Sequence, residues 1–408
     1  MRIGLFTDAF LPQISGVATS TALLQQALKD LGHMVFVITP RDPDQPEQEI
    51  DVFRVPSLPF ISAKRVSLGI QPALAKQLKA LQLDIVHSQT EFGMGAFARQ
   101  ISDLLGVPHV HTFHTLYEDW LNDQIKSKEG GIYQRLTGWY VQKETRNFCN
   151  KADRVIVPTK KAKTVLLKYG VTTPLEIIPT GINLQAFRDA RYDADGAQAV
   201  RRSLGISAND KVLVYVGRIS REKHIHELLA YLKRIMPTRR NLHFILVGDG
   251  PAKAELMKEA ATDDICHFVH FTGPVPWQNV PRYYAAADIF LSASQSETQG
   301  LTYIEALAAG VPLLVREDLA LEDVVNDGVN GFTFVDETSF AAHLDDLLSL
   351  DADAYQSLSA AAYQSSEQYN VDHFAKAVFR VYGNLTSPAA ARGEDVRNLK
   401  RTAEKHRI

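Results

Sequence analysis

Residues 288–312 read DIFLSASQSETQGLTYIEALAAGVP, and this stretch indicates how the chain folds. Its first part, Asp288 to Ser294, is an apolar run with small residues, which is typical of a buried strand that ends in a polar loop. After Gly300 the apolar residues recur at helical spacing as far as a Gly-Val-Pro sequence, which ends a helix. Glu297 is therefore predicted on a loop at the carboxyl end of a strand, and Glu305 in the helix that follows.

This strand-loop-helix segment also predicts a ligand site. In an open α/β sheet, ligands bind in the crevice outside the carboxyl ends of the strands. The amides of Gly300 and Leu301 would lie at a helix N-terminus, which favours phosphate. Glu297 and Glu305 would then supply acceptors for hydroxyl groups beside that phosphate. Such an arrangement suits a nucleotide-sugar.

Composition narrows the protein class. With 408 residues, 45% of them hydrophobic, the chain can build two cores, and its 22% of charged residues is ordinary for a globular protein. A formal net charge of −3 argues against a nucleic-acid partner. Cys149 and Cys266 lack metal-ligand spacing, so we expect no disulfide framework and a reducing cytoplasm. We also expect no signal peptide, and no apolar stretch reaches the ~20 residues of a membrane span.

Apolar runs alternate with helical stretches along both halves of the chain, which implies βαβ units and largely parallel sheets. The first series of predicted strands is 3–6, 35–38, 52–55, 85–87, 109–112, 155–157 and 176–178. The second series is 211–216, 242–247, 267–271, 289–291, 312–315 and 331–334. We therefore expect an α/β fold with two Rossmann-like, doubly wound domains facing each other across a cleft. The predicted domains are residues 1–190 and 191–385, followed by a basic C-terminal tail at 386–408.

Two cations follow the first strand of the second domain. Arg218 comes directly after Gly217 at the strand end, and Lys223 precedes a predicted helix. Both could offset the charge that builds on a leaving diphosphate. Alternatively, they are ordinary surface cations. The nearby turn Gly248-Asp249-Gly250-Pro251 is compatible with a ligand loop or with a simple tight turn.

Two features of the first domain are candidate ligand contacts. Gly16 precedes a predicted helix and would let the backbone approach an anion closely, but it is not part of a dinucleotide-binding G-x-G-x-x-G pattern. His111 and His114 lie at the carboxyl end of a predicted strand, in the sequence His-Thr-Phe-His. They could bind metal, serve acid–base chemistry or hydrogen-bond a turn, although no third ligand at zinc spacing accompanies them.

Together these motifs resemble the retaining glycosyltransferases of family 4, which have the GT-B architecture, over essentially the whole chain. The matching segments are Gly16, Thr112-Phe113-His114-Thr115, Gly217-Arg218-x4-Lys223, Gly248-Asp249-Gly250-Pro251, Glu297-x7-Glu305 and Asn326-Asp327-Gly328-Val329-Asn330-Gly331-Phe332. The resemblance implies transfer from a nucleoside-diphosphate sugar with retained anomeric configuration. Arg218 and Lys223 would hold the diphosphate, helped by amides near Gly16, Gly300 and Leu301.

The resemblance also implies roles around the sugar. Glu305 would accept from the ribose hydroxyls, and Glu297 would accept from the 3- and 4-hydroxyls of the transferred sugar. His114 would lie near the reacting centre, so the expected catalytic residues are His114 and Glu297 with Arg218 and Lys223. Such enzymes work without a metal or other cofactor. No carboxylate nucleophile is evident near His114, which favours a front-face reaction assisted by the departing phosphate.

Basic and aromatic residues indicate the acceptor. From residue 124 to 168 there are 11 lysines and arginines against three acids, a local excess of +8 (11 − 3), with Tyr133, Trp139, Tyr140 and Phe148 among them. Such a mixture suits an anionic membrane surface, or it is a solvated helical face with core aromatics. Residues 60–66 and the tail after residue 388 add further basic segments.

A finer resemblance points the same way. Residues 90–92, 111–119 and 296–303 are similar to the bacterial 1,2-diacylglycerol 3-glucosyltransferases, monotopic enzymes that make α-monoglucosyldiacylglycerol for glycolipid and lipoteichoic-acid anchor synthesis. The resemblance implies UDP-glucose as donor, diacylglycerol as acceptor, a peripheral location on the cytoplasmic face of the cell membrane, and an N-terminal domain that faces the membrane. The sequence Thr298-Gln299-Gly300 departs from the family pattern, in which a phenylalanine more usually precedes the glycine. Two alternatives stay open: a soluble family-4 enzyme with a protein or small-molecule acceptor, and a non-catalytic GT-B subunit.

Overall fold

The computed structural model describes residues 1–13, 15–41, 51–59, 65–67, 72–91, 93–115, 132–262 and 265–387. These residues form two compact units. The first unit contains the described residues of Met1–Thr115 and Arg135–Gly181 together with the helix that starts at Val371, and the second contains those of Ile182–Asn370. Both units are built on parallel sheets, as the alternating pattern predicts.

The first unit has a seven-stranded parallel sheet in the order β3-β2-β1-β6-β7-β8-β9. Its strands, with those of an antiparallel hairpin β4–β5, are β1 Arg2–Phe6, β2 Met34–Pro40, β3 Val52–Val55, β4 Ser57–Pro59, β5 Arg65–Ser67, β6 Ile85–Ser88, β7 His109–Thr112, β8 Arg154–Val157 and β9 Leu175–Ile177. Its helices are α1 Gly16–Asp30, α2 Pro72–Ala80, α3 Met94–Leu105, α4 Ile132–Cys149 and α5 Lys160–Lys168. The hairpin was not predicted from the sequence.

The second unit has a six-stranded parallel sheet in the order β12-β11-β10-β13-β14-β15. The strands are β10 Lys211–Val216, β11 Leu242–Val247, β12 Val269–Gly273, β13 Ile289–Ser292, β14 Leu313–Arg316 and β15 Gly331–Phe334. The helices are α6 Gln185–Tyr192, α7 Ala194–Ser203, α8 Ile225–Ile235, α9 Lys253–Thr262, α10 Val280–Ala285, α11 Leu301–Ala308, α12 Glu337–Ser349 and α13 Ala352–Ser366. The central strand β10 is buried on both faces, which explains its continuous apolar run.

The last helix, α14 Val371–Thr386, changes the predicted domain limits. We expected the second domain to run from 191 to 385, but α14 packs in the first unit, where Phe374 and Val378 share a buried core with Leu24 and Leu28 of α1. The chain also passes from the first unit to the second earlier than predicted, after Gly181 rather than after residue 190. A Cβ at Gly181 would lie 2.7 Å from Val371 Cα, so a side chain has no room there. Of the predicted tail 386–408, residues 388–408 lie outside the described part.

No helix in the described part of the chain is long and apolar enough to cross a membrane. The longest helix, α4, spans 18 residues and carries charged side chains such as Lys143 and Arg146. The structure therefore offers no candidate membrane span within those residues.

Candidate active site

Glu297 and Lys223 form an ion pair at the carboxyl edge of the second sheet. Lys223 belongs to a short 3-10 turn after β10, and Glu297 lies on the loop after β13. Since β10 and β13 are neighbouring parallel strands, their carboxyl ends meet at one edge. Lys223 Nζ donates to Glu297 Oε1 over 2.7 Å, and the two side chains are only 18% and 17% exposed. The structure thus brings together two residues that the sequence assigned to one ligand.

The ammonium of Lys223 keeps hydrogen-bonding capacity for a further group. Its Nζ lies 3.4 Å from the hydroxyl of the fully buried Ser294 in addition to the Glu297 contact. A lysine ammonium has three donors, so one remains after these two contacts. An anion beside Lys223 could therefore be bound without breaking the pair with Glu297.

Glu305 is held by a tyrosine hydroxyl. Tyr284 of α10 donates to Glu305 Oε2 over 2.8 Å, and Glu305 itself lies in α11. Burial raises the pKa of Glu305 to about 7, although the hydrogen bond from Tyr284 opposes part of that rise. Burial and the nearby Glu305 raise the pKa of Tyr284 well above its usual value, so its hydroxyl stays a donor. Within the described residues Oε1 of Glu305 makes no hydrogen bond and can accept one from a ligand.

The helix that carries Glu305 begins at a left-handed glycine. Gly300 has φ +74°, and a Cβ there would lie 2.8 Å from the Tyr303 ring. Leu301 is the first residue of α11, as the sequence predicted. The first amides of a helix have no intrahelical acceptor, so those at Leu301 and beyond suit an anion.

Arg218 follows Gly217 at the carboxyl end of β10 and does not join the ion pair. Its side chain is exposed and makes no ion pair or hydrogen bond among the described residues, while its carbonyl accepts from Tyr215 over 2.9 Å. The glycine turns after β10 and β11 pack closely against each other, which leaves no room for a side chain. A Cβ at Gly248, whose φ is +142°, would lie 2.0 Å from the carbonyl oxygen of Gly217. The Gly-Asp-Gly-Pro motif therefore has a structural role, because its first glycine lets the end of β11 pack against the end of β10.

In the first unit, His114 follows β7 and is bonded to Gln89, which follows β6. His114 Nε2 lies 2.8 Å from Gln89 Oε1. Burial lowers the pKa of His114 to about 4, with a further lowering from His111 and an opposing effect of Glu91. The imidazole is therefore neutral at physiological pH. Gln89 was not singled out from the sequence, although the polar run after β6 is the signal that could have found it.

His111 has a different environment from His114. It is fully buried, its Nδ1 lies 2.9 Å from the hydroxyl of Ser88, and its Nε2 lies 3.5 Å from Glu91 Oε1. Phe148 packs edge-on against its ring at a centroid distance of 4.8 Å. Of the readings left open for this histidine, hydrogen bonding inside the fold is the one observed.

Gly16 is the first residue of α1, after the helix cap Ser15, whose hydroxyl accepts from the amide of Ala18 over 3.2 Å. A Cβ at Gly16 would meet nothing within 4 Å. Packing within the described residues therefore does not demand a glycine here, and a role in letting an anion approach stays a prediction.

One group of side chains in the described residues has the spacing of metal ligands. In the described residues, His224, His226 and Glu227 are grouped closely enough to hold an ion. Glu227 is already engaged, because it contacts His224 over 2.7 Å and pairs with Arg316. Burial alone would raise the pKa of Glu227, but the contacts with His224 and Arg316 outweigh it and lower the pKa. The carboxylate of this group therefore already has two partners within the fold.

The basic and aromatic stretch is partly described. Trp139 and Tyr140 on α4 are 59% and 57% exposed, and Lys143 Nζ lies 4.9 Å from the centre of the Trp139 ring. Phe148, in contrast, packs against buried histidines. Residues 124–131, the side chain of Tyr133 and residues 60–64 lie outside the described part. The described portion of the predicted patch is thus the surface formed by Trp139, Tyr140 and Lys143.

Comparisons with known proteins agree with this architecture. Residues 14–186 match the model of Glycosyltransferase Family 4, and residues 197–365 match that of Glycosyl transferases group 1. The chain is 35% identical over 94% of its length to an alpha-monoglucosyldiacylglycerol synthase of Streptococcus pneumoniae, of which it covers 85%. It is 36% identical over 94% of its length to the enzyme of the same name from Acholeplasma laidlawii, of which it covers 97%.

Solved structures share the fold. A crystal structure of Anabaena HepE in complex with UDP superposes with a TM-score of 0.74 over 94% of this chain and 100% of that one, at 19% identity. A sucrose-phosphate synthase from Thermosynechococcus elongatus gives a TM-score of 0.73 over 94% and 99% of the two chains, at 20% identity. The predicted architecture, two parallel-sheet α/β domains of the GT-B type, is confirmed.

Proposed function

Since the chain belongs to the glycosyltransferase family that includes the alpha-monoglucosyldiacylglycerol synthases, we propose that it moves glucose from UDP-glucose to the 3-hydroxyl of 1,2-diacylglycerol. The product would be α-monoglucosyldiacylglycerol, a glycolipid and an anchor precursor. The observation that carries the proposal is the identity of 35–36% to two such synthases along nearly the whole chain. UDP as the nucleotide is further supported by the UDP-bound HepE structure, which has the same fold.

The ion pair of Lys223 and Glu297 positions the diphosphate and the glucose of the donor. The remaining donor of Lys223, together with the exposed Arg218, offsets the charge on the diphosphate. Glu297, held by Lys223 over 2.7 Å, accepts hydrogen bonds from the 3- and 4-hydroxyls of glucose. A carboxylate fixed by a cation keeps its orientation when a ligand binds, so the sugar is aligned before the bond breaks.

The reaction retains the anomeric configuration. The bond between C1 and the phosphate oxygen breaks with its electron pair going to that oxygen, and the acceptor oxygen bonds to C1 on the same face. The acceptor proton passes to the departing phosphate oxygen, so atoms and charge balance. Lys223, Arg218 and the first amides of α11 stabilise the phosphate that forms.

Glu305 and His114 complete the contacts. The available oxygen of Glu305 accepts from a ribose hydroxyl, while Tyr284 holds the other oxygen. His114 offers a neutral imidazole to the sugar. The amide of Gly16 contributes to the phosphate contacts.

The transfer uses no metal. Arg218 and Lys223 supply the positive charge that a divalent cation gives other transferases, and Glu227 of the His224 cluster is already paired with Arg316. Transfer rates should therefore be equal in EDTA and in added magnesium or manganese. A loss of more than about tenfold in EDTA, restored by either ion, would contradict this part of the proposal.

The acceptor is reached at the cytoplasmic membrane surface, where the enzyme is peripherally bound. Exposed aromatic side chains insert at the headgroup level, and neighbouring cations attract anionic lipids. Trp139, Tyr140 and Lys143 provide such a combination on α4.

Vesicle flotation tests this acceptor assignment. The protein should float with vesicles that contain phosphatidylglycerol and diacylglycerol, and less so as salt screens the charges. Transfer should occur to diacylglycerol in these vesicles and not to glycerol or a peptide. Equal transfer to a water-soluble acceptor without vesicle binding would favour a soluble family-4 enzyme. UDP binding without transfer to any acceptor would favour a non-catalytic subunit.

A further inference from the structure

Gln89 is a buried amide placed beside His114 by two neighbouring strands. It follows the last residue of β6, and His114 comes two residues after β7, which pairs with β6. Gln89 is 1% exposed, and its Oε1 lies 2.8 Å from His114 Nε2. This is the hydrogen bond that His114 makes within the described residues.

The backbone around Gln89 is held from several sides. Its amide donates to the carbonyl of Phe6 over 2.8 Å. The next residue, Thr90, donates its hydroxyl to Asp8 over 2.7 Å, and Asp8 also accepts from the amide of Met94 at the start of α3 over 2.9 Å. Gln89 therefore presents its amide to His114 from a fixed position.

The nitrogen of the Gln89 side-chain amide is in a different situation from its oxygen. Its Nε2 is buried and has no hydrogen-bond partner among the described residues. Buried polar groups are nearly always satisfied, and leaving one unsatisfied costs free energy. Within the described residues, the contact of Oε1 with His114 is therefore the hydrogen bond that holds the Gln89 side chain.

Several titratable groups surround the His114 ring. They are His111 on β7, Glu91 in the loop after β6, and His87 on β6, whose pKa is itself lowered by burial and by its histidine neighbours. A second histidine close by disfavours the imidazolium form of His114, and burial does so more strongly. In the neutral ring, an oxygen acceptor at Nε2 requires the proton to be on that nitrogen.

We propose that Gln89 is a positioning residue that fixes His114 in its Nε2–H tautomer, so that Nδ1 presents a lone pair to a hydroxyl of the bound sugar. The proposal rests on the proposed function for the identity of that hydroxyl. The tautomer and its dependence on Gln89 do not rest on it. Within the described residues Nδ1 of His114 makes no hydrogen bond, so it is available to a ligand.

Nuclear magnetic resonance of the full-length protein labelled with ¹⁵N-histidine tests the tautomer directly. The His114 signals are identified by their loss in His114→Ala. The wild type should show the Nε2–H form between about pH 5.5 and 8. Gln89→Met, which has similar length and no acceptor, should give mixed tautomers. An Nδ1–H tautomer in the wild type would overturn the proposal.

Gln89→Glu tests the contact more stringently, because it should change the pKa of His114. The carboxylate still accepts from Nε2 but stabilises the imidazolium, so the pKa of His114 should rise from about 4 and the charged form should appear on the acid side. Gln25→Glu is the matched control, because Gln25 is also a buried glutamine of this unit, on α1. That control should leave the His114 spectrum unchanged. An unchanged His114 spectrum in both Gln89 variants would also overturn the proposal.

Activity then tests the role in transfer. Gln89→Met should lower kcat about tenfold at every pH, the usual effect of losing one hydrogen bond. Gln89→Glu should lose kcat as pH falls and recover toward the wild type near pH 8, and should add no acid-side loss to His114→Ala. Normal kcat profiles in both variants would refute the catalytic part. Altered His114 spectra with no transfer by the wild type to any acceptor would instead refute the proposed function and leave the positioning role standing.

Discussion

Replacing Glu305 by glutamine should make the second unit more stable at alkaline pH while weakening nucleotide binding. Burial raises the pKa of this carboxyl to about 7 from an ordinary value of 4.5. The folded state therefore binds more protons than the unfolded state between these values, and the stability of the wild type falls as pH rises through the window. Below about pH 4.5 the carboxyl is protonated in both states and adds no penalty.

The two pKa values set the size of the effect. One pKa unit corresponds to about 1.4 kcal/mol, so the ionised carboxyl costs up to about 3 kcal/mol above pH 7. Glutamine has the same shape, stays neutral and still offers an oxygen to the Tyr284 hydroxyl. Glu305→Gln should thus stabilise the unit by up to about 3 kcal/mol at pH 8 and by a small part of that at pH 5. At about 2–4 °C per kcal/mol, Tm should rise by roughly 5–10 °C at pH 8.

Scanning calorimetry at pH 5 and pH 8 measures this difference. Glu255→Gln is the control, because Glu255 is an exposed carboxyl of the same unit with a side chain 63% accessible, and its Tm change should be small at both pH values. UDP affinity, measured by titration calorimetry at pH 8, should fall in Glu305→Gln, since an amide that keeps its oxygen on Tyr284 turns an NH2 donor, and no acceptor, toward the ribose hydroxyl. A Tm rise that is equal at the two pH values, or a lower Tm at pH 8, would refute the reasoning.

Three further predictions concern the site, the fold and the membrane surface. Glu297→Ala should lower glucose transfer by at least about a hundredfold with an unchanged circular dichroism spectrum, and near-normal kinetics would contradict the role of this carboxylate. Gly248→Ala should lower the free energy of unfolding by about 2–4 kcal/mol, because the glycine has φ +142° and its Cβ would lie 2.0 Å from a carbonyl oxygen. Denaturant titration measures this loss. Gly383→Ala is the near-neutral control, because a Cβ at Gly383 would meet nothing within 4 Å. Trp139→Ser should weaken flotation with anionic vesicles several-fold. The control Tyr192→Ser should not, although this aromatic of the second unit is more exposed than Trp139, at 79% against 59%. Equal losses would argue against a patch on α4.

The parallel strands were predictable because burial on both faces produces an uninterrupted apolar run. Five strands, β3, β7, β10, β11 and β15, have the predicted limits, and the limits of the other predicted strands lie within two residues of the observed ones. The sequence placed α14 in the second domain, whereas in the structure it packs in the first unit. Its apolar stripe predicts a buried face, but the periodicity of one helix does not encode which of two cores receives it.

The candidate site was predictable where a residue type and a strand end coincide. Glu297 and Glu305 occupy the loop and helix that their sequence predicts. From the sequence, Lys223 was predicted to bind a diphosphate. Its pairing with Glu297 could not be predicted, because it depends on β10 and β13 being neighbours in the folded sheet. Gln89 was missed because its significance comes from His114 on the neighbouring strand and not from any pattern of its own.

The most direct test of the central claim is to identify the product formed from UDP-[1-¹³C]glucose and vesicles that contain 1,2-diacylglycerol. The purified full-length protein should give one labelled glycolipid, and its ¹³C and ¹H spectra should show an α-linked glucose on the 3-hydroxyl. Glu297→Ala, assayed beside it, should give none. A β-linked product, labelled free glucose as the main product, or equal product from the Glu297 variant would contradict the account.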